Sequence, residues 1–538
     1  MFTKDERQKL SYFFTSLDKD VFVLTNLPEI LKGALFSRYS RSTKPLRQLF
    51  LDEYLKNEEL GIDNTALSQT SFDSSKILAT EKAEKFFSKW LAEYGDDSIA
   101  ELGGVHVGVE NVSVLATKSM EDRRVGVSPL EKSTRYVRFD DKVNGKYRFY
   151  FDKKIEASKF NSLYEKTMNV LFDTYSELLD PMMEYFRTKF KKPEDASEKA
   201  YEASIRAKAC DTLRGLLPLS TLTNMGLFAN GRAYEYMLTK MFAGTLTETN
   251  SLAQNIYTEL DKVIHNFIER IKTEKGENYV KYLIETHNLI ESLSKKVDKK
   301  TISKVDSNPK PQVVLVDFDK NAEEKLCASI LFSVSNKPLK SLLSLSKKLG
   351  KKKRTELIKA YVEKRVGRWN KVGRSFEEPY FHFEIVSDFG AYKDLERHRV
   401  LTQDKQLFSC DLGYDMPQEI KDAGFEHKYK KAMDFAKSTF VKISAKFPLE
   451  AQYIVTHGYK VRYRMKMNLR EAFHLCELRS SPQGHPGYRF IAQEMYKRIK
   501  EAYPLFGEVM KYVNMESPGL ERLSSEVRKE EKLKKLHS

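Results

Sequence analysis

The chain has 538 residues, of which 41% are hydrophobic and 12% aromatic, so it can build several domains, and disorder over most of its length is excluded. Its 92 Lys and Arg residues against 76 Asp and Glu residues give a net charge of +16, which favours anionic partners such as phosphates, nucleotides or nucleic acid. The four cysteines are far apart and form no C-x-x-C pair, which argues against a disulfide framework and a structural zinc site.

The N-terminal sequence and the hydropathy pattern argue against export or a membrane anchor. MFTKDERQKLSYFF mixes charges and lacks a long apolar stretch, so it does not resemble a signal peptide. No apolar run approaches the roughly 18 residues of a transmembrane helix. A cytoplasmic protein with no membrane partner is therefore expected.

Helices and a strand are predicted in the first part of the chain. Residues 81–94 are predicted to be helical, and the β-rich run from Val105 is predicted to be a strand. Residues 212–228 and the segment from Tyr234 are predicted to be helices.

The second part begins after a Lys-, Ser- and Pro-rich stretch from Ser294, which indicates a linker. VVLVDF follows it as a predicted strand, and YFHFEIV from Tyr380 alternates as a second strand does. The segment from Glu471 and residues 490–513 are predicted helices, and the charged end of the chain is predicted to be a frayed helix.

The sequence repeats itself once. ALFSRYSRSTKPLRQLF is similar to SILFSVSNKPLKSLLSL, and three later pairs of segments also match. Equivalent positions in the two halves are Phe36 and Phe332, Glu101 and Glu377, Asn230 and Asn468, and Ala253 and Ala492. The matched segments occur in the same order in both halves, while the number of residues between equivalent positions falls along the chain. This pattern indicates duplication with extra loops in the first half.

The predicted fold class is therefore α+β, with two repeats that each pack long helices around a small, mostly antiparallel β-sheet. The predicted boundaries are 1–293 for the first repeat, 294–312 for the linker, 313–515 for the second repeat and 516–538 for a charged tail.

The first polar motif is EKSTRY, which contains Glu131, Ser133, Arg135 and Tyr136. In an extended loop, alternate residues share a face, so Glu131, Ser133 and Arg135 would point together. A carboxylate, a hydroxyl and a guanidinium suit a nucleotide, with Arg for its phosphate. The alternative is a solvated turn with a local Glu–Arg ion pair.

The second polar motif is ERHRVLTQDKQ, in which Arg397, His398 and Arg399 are consecutive. Three such donors could surround a diphosphate or a planar anionic ring system, and the alternative is an exposed basic helix end. Further along, Arg470 and Arg479 lie nine residues apart, roughly 180° on an ideal helix, so they need not meet one ligand group.

The two equivalent asparagines, Asn230 and Asn468, lie in otherwise helical segments. Asn lowers helix propensity, so a hydrogen-bonding role is plausible for both. Symmetric helix packing is the alternative.

Several common signatures are absent. The sequence has no G-x-G-x-x-G, no P-loop and no H-E-x-x-H, and no metal site is expected. The cysteines lie in apolar or mixed surroundings, which favours packing over nucleophilic roles. His106 and His382 lie in strand-like segments, where core histidines are commoner than catalysts.

Together these motifs resemble the signature of the flavin-dependent thymidylate synthases, which is R-H-R, two residues, S, one residue, N-E, one residue, S, one residue and R-Y. The resemblance covers most of the chain, but the signature is divided between the two halves. The second half keeps Arg397, His398 and Arg399, and the first half keeps Glu131, Ser133, Arg135 and Tyr136. Later family positions are matched by Asn468, Arg470 and Arg479, and earlier ones by Ser40, Ser98 and Glu101. The chain departs from the family where Asp404 and Lys405 replace N-E.

The resemblance implies methylation of dUMP to dTMP, with methylenetetrahydrofolate as carbon donor, reduced FAD as hydride source and NADPH as the usual reductant. It implies dUMP binding by Glu131, Ser133, Arg135, Tyr136 and Arg479, and catalytic roles for Arg397 and Arg479. It implies FAD binding by Arg397, His398, Arg399, Asn468, Arg470, Ser40, Ser98 and Glu101.

Because the two halves keep opposite parts of the signature, the expected site is shared between the repeats. Two chains would then mimic the family homotetramer as a homodimer, and nucleic acid is not an expected partner. One alternative is a catalytically degenerate nucleotide- or nucleic-acid-binding protein of the same fold. Another is a flavoenzyme that acts on a different pyrimidine or on RNA uridine.

Overall fold

The computed structural model describes residues 2–56, 97–123, 125–298, 309–516 and 519–537. The chain divides into two compact units. Unit 1 consists of Met1–Val109, Val125–Leu130 and Met225–Thr301. Unit 2 consists of Glu110–Arg124, Glu131–Asn224 and Ile302–Ser538, so it contains residues of both predicted repeats.

The described chain up to residue 298 is mainly helical. Its helices are α1 (Lys4–Phe13), α2 (Glu29–Tyr39), α3 (Leu46–Phe50), α4 (Asp97–Ala100), α5 (Val114–Glu121), α6 (Lys153–Glu156), α7 (Asn161–Lys189), α8 (Glu198–Leu213), α9 (Gly231–Phe242), α10 (Thr247–Ile268) and α11 (Glu274–Asp298). Its strands are β1 (Gly104–Ser113), β2 (Val127–Glu131), β3 (Lys142–Val143), β4 (Lys146–Tyr147) and β5 (Leu222–Asn230).

The described chain from residue 309 onwards lies in unit 2. Its strands are β6 (Gln312–Phe318), β7 (Tyr380–Asp388), β8 (Thr402–Lys405) and β9 (Lys460–Asn468). Its helices are α12 (Ala322–Phe332), α13 (Leu339–Lys348), α14 (Lys351–Val362), α15 (Phe389–Leu395), α16 (Gln418–Asp422), α17 (Glu426–Ser444), α18 (Leu469–Arg479), α19 (Pro486–Ala502), α20 (Pro504–Val509) and α21 (Leu523–His537). No helix in the described parts of the chain is long and apolar enough to cross a membrane.

A four-stranded antiparallel sheet with the order β6-β7-β9-β8 forms the centre of unit 2. Its long central pair runs from Tyr380 opposite Asn468 to Asp388 opposite Lys460. One face of β7 is closed by Phe381, Phe383 and Ile385, which are fully buried. Other strands form the three-stranded sheet β1-β5-β2 and the hairpin β3-β4. Small, mostly antiparallel sheets among long helices confirm the predicted α+β class.

Equivalent strand–helix pairs support the predicted duplication. β5 and β9 end at Asn230 and Asn468, and each side-chain Oδ1 accepts the N–H of the third residue onward at 2.9 Å. β1 and β7 likewise end at residues that cap the following helix, Ser113 and Asp388. The hydrogen-bonding role predicted for the two asparagines is therefore confirmed, as an N-cap.

The helix predicted over residues 212–228 is wrong. α8 ends at Leu213, a 3₁₀ turn covers Arg214–Leu216, and β5 then begins at Leu222. Pro218 has no N–H to continue a helix, and burial in β5 alternates with the period of a strand. The helix predicted over 81–94 lies outside the described residues.

The other predicted strands and helices occur in the described residues, but α11 continues to Asp298, past the predicted start of the linker at Ser294, and the last helix of the 490–513 region ends at Val509. Strands occur at the segments from Val105 and Tyr380, and VVLVDF lies in β6. α19 and α20 occupy the predicted 490–513 region, where Pro504 begins the second helix. All four cysteines are buried and unpaired, consistent with packing roles.

Candidate functional site

A cluster of buried charges lies in unit 2, at the end of α5 and the end of α15. The Lys118 ammonium donates hydrogen bonds to Glu121 and Glu396, and its Nζ lies 4.0 Å from Glu131 Oε2. Lys393 Nζ donates to Glu131 Oε1 at 2.8 Å. All five side chains are buried. Glu131 is therefore held by lysines of the protein, although the motif alone suggested a ligand contact.

Arg397 extends from this cluster towards solvent, with 35% of its side chain exposed. Its Nη2 lies 3.8 Å from Glu121 Oε1 and 3.9 Å from Glu131 Oε2. Its Nε has no hydrogen-bond partner among the described residues. The Arg397 guanidinium is thus positioned by two carboxylates while part of it stays available to a ligand.

Arg135 lies in a turn, with its guanidinium held inside the protein. Its Nε and Nη2 donate to the two Asp211 oxygens at 2.8 and 2.7 Å, and its Nη1 donates to Tyr488 Oη at 3.1 Å. Ser133 Oγ accepts the Arg135 N–H at 3.2 Å. The expected extended loop with Glu131, Ser133 and Arg135 on one face does not form, because the chain turns after Lys132.

His398 connects Arg479 with Glu471. Arg479 Nε donates to His398 Nε2 at 2.9 Å, so the other ring nitrogen carries the proton and donates to Glu471 Oε1 at 2.6 Å. Burial, and also the charge of Arg479, lower the pKa of His398 to about 4, while Glu471 opposes the shift. His398 is therefore a neutral orienting group for Arg479 at neutral pH.

Arg479 forms no ion pair with any carboxylate of the described residues within 4.0 Å. Its guanidinium lies 5.5 Å from the centre of the Tyr488 ring, and the Arg135 guanidinium lies 5.6 Å from the same ring. Burial lowers the pKa of Arg479. A largely buried guanidinium without a carboxylate partner is suited to an anionic ligand.

The charges of four guanidinium groups act on the carboxylate of Asp394. Burial alone would raise the pKa of Asp394, but Arg214, Arg135, Arg397 and Arg479 together hold it well below its usual range. Arg214 Nη1 lies 3.3 Å from Asp394 Oδ2. Arg135 belongs to the first predicted repeat, whereas Arg397 and Arg479 belong to the second. The structure thus brings arginines of both repeats together within unit 2 of one chain.

A cavity of about 220 Å³ adjoins this arginine cluster, lined in part by Asp211, Arg214 and His485. Three buried polar atoms of its lining residues have no hydrogen-bond partner among the described residues: Arg214 Nη2, Tyr429 Oη and His457 Nε2. Because His457 Nδ1 lies 2.7 Å from the Leu217 carbonyl oxygen and donates to it, Nε2 is an acceptor. The wall of the cavity therefore includes residues with a cationic, a hydroxyl and an acceptor group that the described protein leaves unpaired.

Sequence reasoning missed Arg214, Asp394 and Tyr488. Arg214 could have been noticed as a lone charge in the apolar run TLRGLLPL. Asp394 and Tyr488 have no comparable signal, since Arg135 and Arg214, which act on Asp394, and Arg135, which donates to Tyr488, lie far away in the sequence.

Other residues of the predicted site have different partners. Tyr136 is half-exposed, and the Arg522 guanidinium lies 3.8 Å from the centre of its ring. Arg470 donates to Glu377 Oε1 at 3.0 Å and to the Val372 carbonyl at 2.9 Å, so it does not join Arg479, as the nine-residue spacing suggested. Arg399 is half-buried next to the cluster in sequence.

Three residues predicted to bind FAD lie in unit 1. Ser40 Oγ donates to the Ser37 carbonyl at 2.7 Å. Glu101 is exposed, with Oε1 3.8 Å from Arg232 Nε. Ser98 belongs to α4, and its side chain lies outside the described residues. These three remain predictions and are not part of the unit 2 cluster.

One group of three possible metal ligands occurs among the described residues: His398, Glu471 and His474, whose ligand atoms lie within 4.8 Å of one another. Both ring nitrogens of His398 already have partners, and one of these is the Arg479 cation. The donor set is therefore better explained as an orienting network than as a cation site.

Comparison with known proteins identifies relatives over the full length. A UPF0159 protein of Chlamydia pneumoniae is 41% identical over 529 residues, covering 98% of both chains. One from Chlamydia muridarum is 39% identical over 528 residues, also covering 98% of both. One from Thermoplasma acidophilum is 31% identical over 522 residues, covering 93% of this chain and 98% of that one. These names state no activity.

Solved structures give weaker similarity. Structures of the UMP/dUMP methylase PolB from Streptomyces cacaoi, with 5-Br dUMP and with 5-Br UMP, align with TM-scores of 0.31 and 0.30. Their identities are 13% and 14%, and the alignments cover 40% of this chain and all of theirs.

The family comparison is decisive. The family model described as thymidylate synthase complementing protein matches residues 51–264 and 314–505, which together make up most of the chain. The two matches fall in the two predicted repeats. The chain therefore belongs to this family of flavin-dependent thymidylate synthases, as a tandem member whose two halves have diverged.

Proposed function

We propose that the chain methylates dUMP to dTMP, with methylenetetrahydrofolate as the carbon donor. Family membership supports this reaction class. The observation that carries the proposal is the convergence of Arg135, Arg214, Arg397 and Arg479 around Asp394 beside a polar cavity. Guanidinium groups bind phosphate with charge-assisted hydrogen bonds, so this cluster suits a nucleotide monophosphate.

The residues also fit an anionic flavin cofactor. Arg397 has a buried, unpartnered Nε and a partly exposed guanidinium, and Arg399 follows two residues later. We propose that these arginines hold FAD, with His398 acting through Arg479, and with NADPH as reductant. Reduced FAD supplies the hydride when bound. The chain's own groups bind and orient substrate and stabilise developing negative charge.

A protein nucleophile is not part of the proposal. Burial raises the pKa of Cys210 to about 11, and it also raises the pKa values of Cys410 and Cys476. None of these thiols is therefore suited to attack a pyrimidine ring at neutral pH.

A degenerate, non-catalytic nucleotide-binding protein is the second candidate. It is favoured by the internal partners of two signature residues, since Glu131 is held by Lys393 and Arg135 by Asp211. Such a protein would bind dUMP without turnover.

The test is an assay of dTMP formation and dUMP-dependent oxidation of reduced FAD by the purified full chain. Arg479→Gln is expected to lower kcat/KM by about 100-fold or more, because it removes a preorganised guanidinium. The control is Arg498→Gln on α19, where the guanidinium pairs with Glu501 at 2.8 Å on the surface. Wild-type protein that binds dUMP but forms no dTMP would overturn the synthase and leave the second candidate.

A further inference from the structure

The positive charge of the chain is concentrated in one segment of unit 2. Residues 337–374 contain 14 Lys and Arg residues and only two Glu, so they carry 12 of the 16 net positive charges. The remaining 500 residues share the other four. Charge that served only solubility would be spread over the surface, so this concentration indicates a local electrostatic role.

Most of these cations form no ion pair within the part of the chain that the structure describes. Arg354, Lys359, Arg365 and Arg374 pair with glutamates. The other ten form no ion pair with any residue in the described ranges, and all but the half-buried Arg368 are exposed: Lys337, Lys340, Lys347, Lys348, Lys351, Lys352, Lys353, Lys364, Arg368 and Lys371. We call these ten side chains the basic surface.

Part of the basic surface is electrostatically unfavourable in the protein alone. Lys351, Lys352 and Lys353 occupy the first turn of α14, where the backbone N–H groups already present positive charge. Partial burial lowers the pKa of Lys371, and the neighbouring Arg368 lowers it further. An anionic partner with several charges would relieve this repulsion.

An exposed aromatic side chain lies within the same segment. Trp369 is 70% exposed and follows Arg368 directly, with Lys371 two residues later. A large exposed indole flanked by cations is a platform on which a nucleobase can stack.

A lipid surface fits less well. Membrane-surface helices present an apolar face to the bilayer. Here Leu342 of α13 and Ile358 and Val362 of α14 are buried in the protein. The exposed residues of α14 are mainly charged, whereas Leu339 and Leu345 of α13 are 40% and 41% exposed but belong to separate turns of a short helix.

We propose that the basic surface binds single-stranded nucleic acid, with phosphates along Lys347–Lys353 and a base stacked on Trp369. This partner goes beyond the proposed synthase and does not depend on it. It also differs from the partners implied by the family resemblance, which did not include nucleic acid.

The test is fluorescence anisotropy of a fluorescein-labelled 20-nucleotide single-stranded RNA titrated with the full chain at several salt concentrations. The variant K351E/K352E/K353E places acids at a helix N-terminus, where they favour folding, and should weaken binding at least tenfold. The slope of log K against log salt should fall by about two, since each phosphate contact contributes about 0.7. The matched control K532E/K534E/K535E makes the same charge change on the exposed tail helix α21 and should change binding less than twofold.

Trp369→Ala separates stacking from charge. It should weaken RNA binding about fivefold or more but leave binding to inorganic polyphosphate unchanged. The proposal is overturned if the wild-type chain does not bind RNA at low salt, or if both triple variants weaken binding equally. Stronger binding to anionic phospholipid vesicles than to RNA, lost in the α14 variant, would also overturn it in favour of a membrane surface.

Discussion

Glu396 is a buried carboxyl group whose ionisation lies near neutral pH. Burial and the neighbouring Glu121 raise its pKa to about 7, although Lys118 opposes the shift. Glu121 behaves differently: burial raises its pKa, but Lys118, Arg397 and Lys393 together more than offset burial and lower the pKa to about 2. Near neutral pH, Glu396 can therefore hold a proton within the buried charge cluster that positions Arg397.

This proton links stability to pH. Between the ordinary carboxyl pKa of about 4.5 and about 7, the folded chain keeps a proton on Glu396 that the unfolded chain has released. The stabilisation is fully present below the lower value and is lost as pH rises through 7. Glu396→Gln imitates the protonated form at every pH. Relative to this variant, the wild type should lose roughly 2 kcal/mol of unfolding free energy between pH 5.5 and 8.

The measurement is urea unfolding of both proteins at the two pH values. Glu356→Gln, an exposed change on α14, serves as the control and should track the wild type. A constant difference between wild type and Glu396→Gln at both pH values would contradict the assigned proton.

At the residue scale, sequence motifs identified Arg135, Arg397 and Arg479 as candidate site residues, and the structure brings them together. The motifs could not show that Arg135 would be bound by Asp211, since these residues are 76 positions apart. A local pattern identifies residue types suited to a ligand, whereas the partners of a buried charge depend on the tertiary fold.

At the scale of the element, the helices α9 and α18 both have a first turn that is capped by an asparagine. Each begins after a strand-terminal asparagine whose Oδ1 accepts an N–H at 2.9 Å. α18 carries Glu471 near its start and Arg479 at its end, so its first turn positions His398 and its last turn reaches the arginine cluster. α9 has Met241 where α18 has Arg479.

This symmetry gives a matched pair of variants. Asn468→Ala and Asn230→Ala should each destabilise the protein by about 1 kcal/mol, because each removes an equivalent N-cap. Only Asn468→Ala should also weaken dUMP binding, measured by isothermal titration, because only α18 carries arginine-cluster residues. Equal effects of the two variants on dUMP affinity would contradict the assignment of α18 to the site.

Element prediction succeeded where the periodic pattern was long and failed at 212–228. The strand from Tyr380 has a clear alternation of buried residues. By hydrophobicity alone, the apolar run before β5 is compatible with a helix or a strand. Pro218 disfavours the helix because it has no backbone N–H to donate. Short apolar runs acquire their conformation from the sheet they join, which sequence alone does not reveal.

At the scale of the whole molecule, the proposed site combines residues of both predicted repeats. Glu131 and Arg135 come from the first predicted repeat, and Arg397 and Arg479 from the second, yet all four belong to unit 2. The two compact units therefore do not coincide with the two predicted repeats, because unit 2 contains residues of both. The predicted boundaries at 293, 312 and 515, and the predicted homodimer, remain predictions.

A mixing experiment tests whether the site is complete in one chain. Arg135→Gln and Arg397→Gln chains should each be inactive, and mixing them should not restore dTMP formation, because both arginines belong to the same site of each chain. Circular dichroism checks that each variant is folded. Because Arg135→Gln leaves the buried Asp211 carboxylate unpaired, the double variant Arg135→Gln/Asp211→Asn is measured as well. Activity restored by mixing would show a site shared between chains.

The most direct measurement is the visible absorption spectrum of the purified chain reconstituted with FAD and titrated with dUMP, for wild type and Arg397→Gln. Bound flavin whose spectrum shifts with dUMP is expected in the wild type, with weakened flavin binding in the variant. A wild-type chain that binds no FAD at any tested concentration would contradict FAD-dependent synthesis of dTMP by this chain.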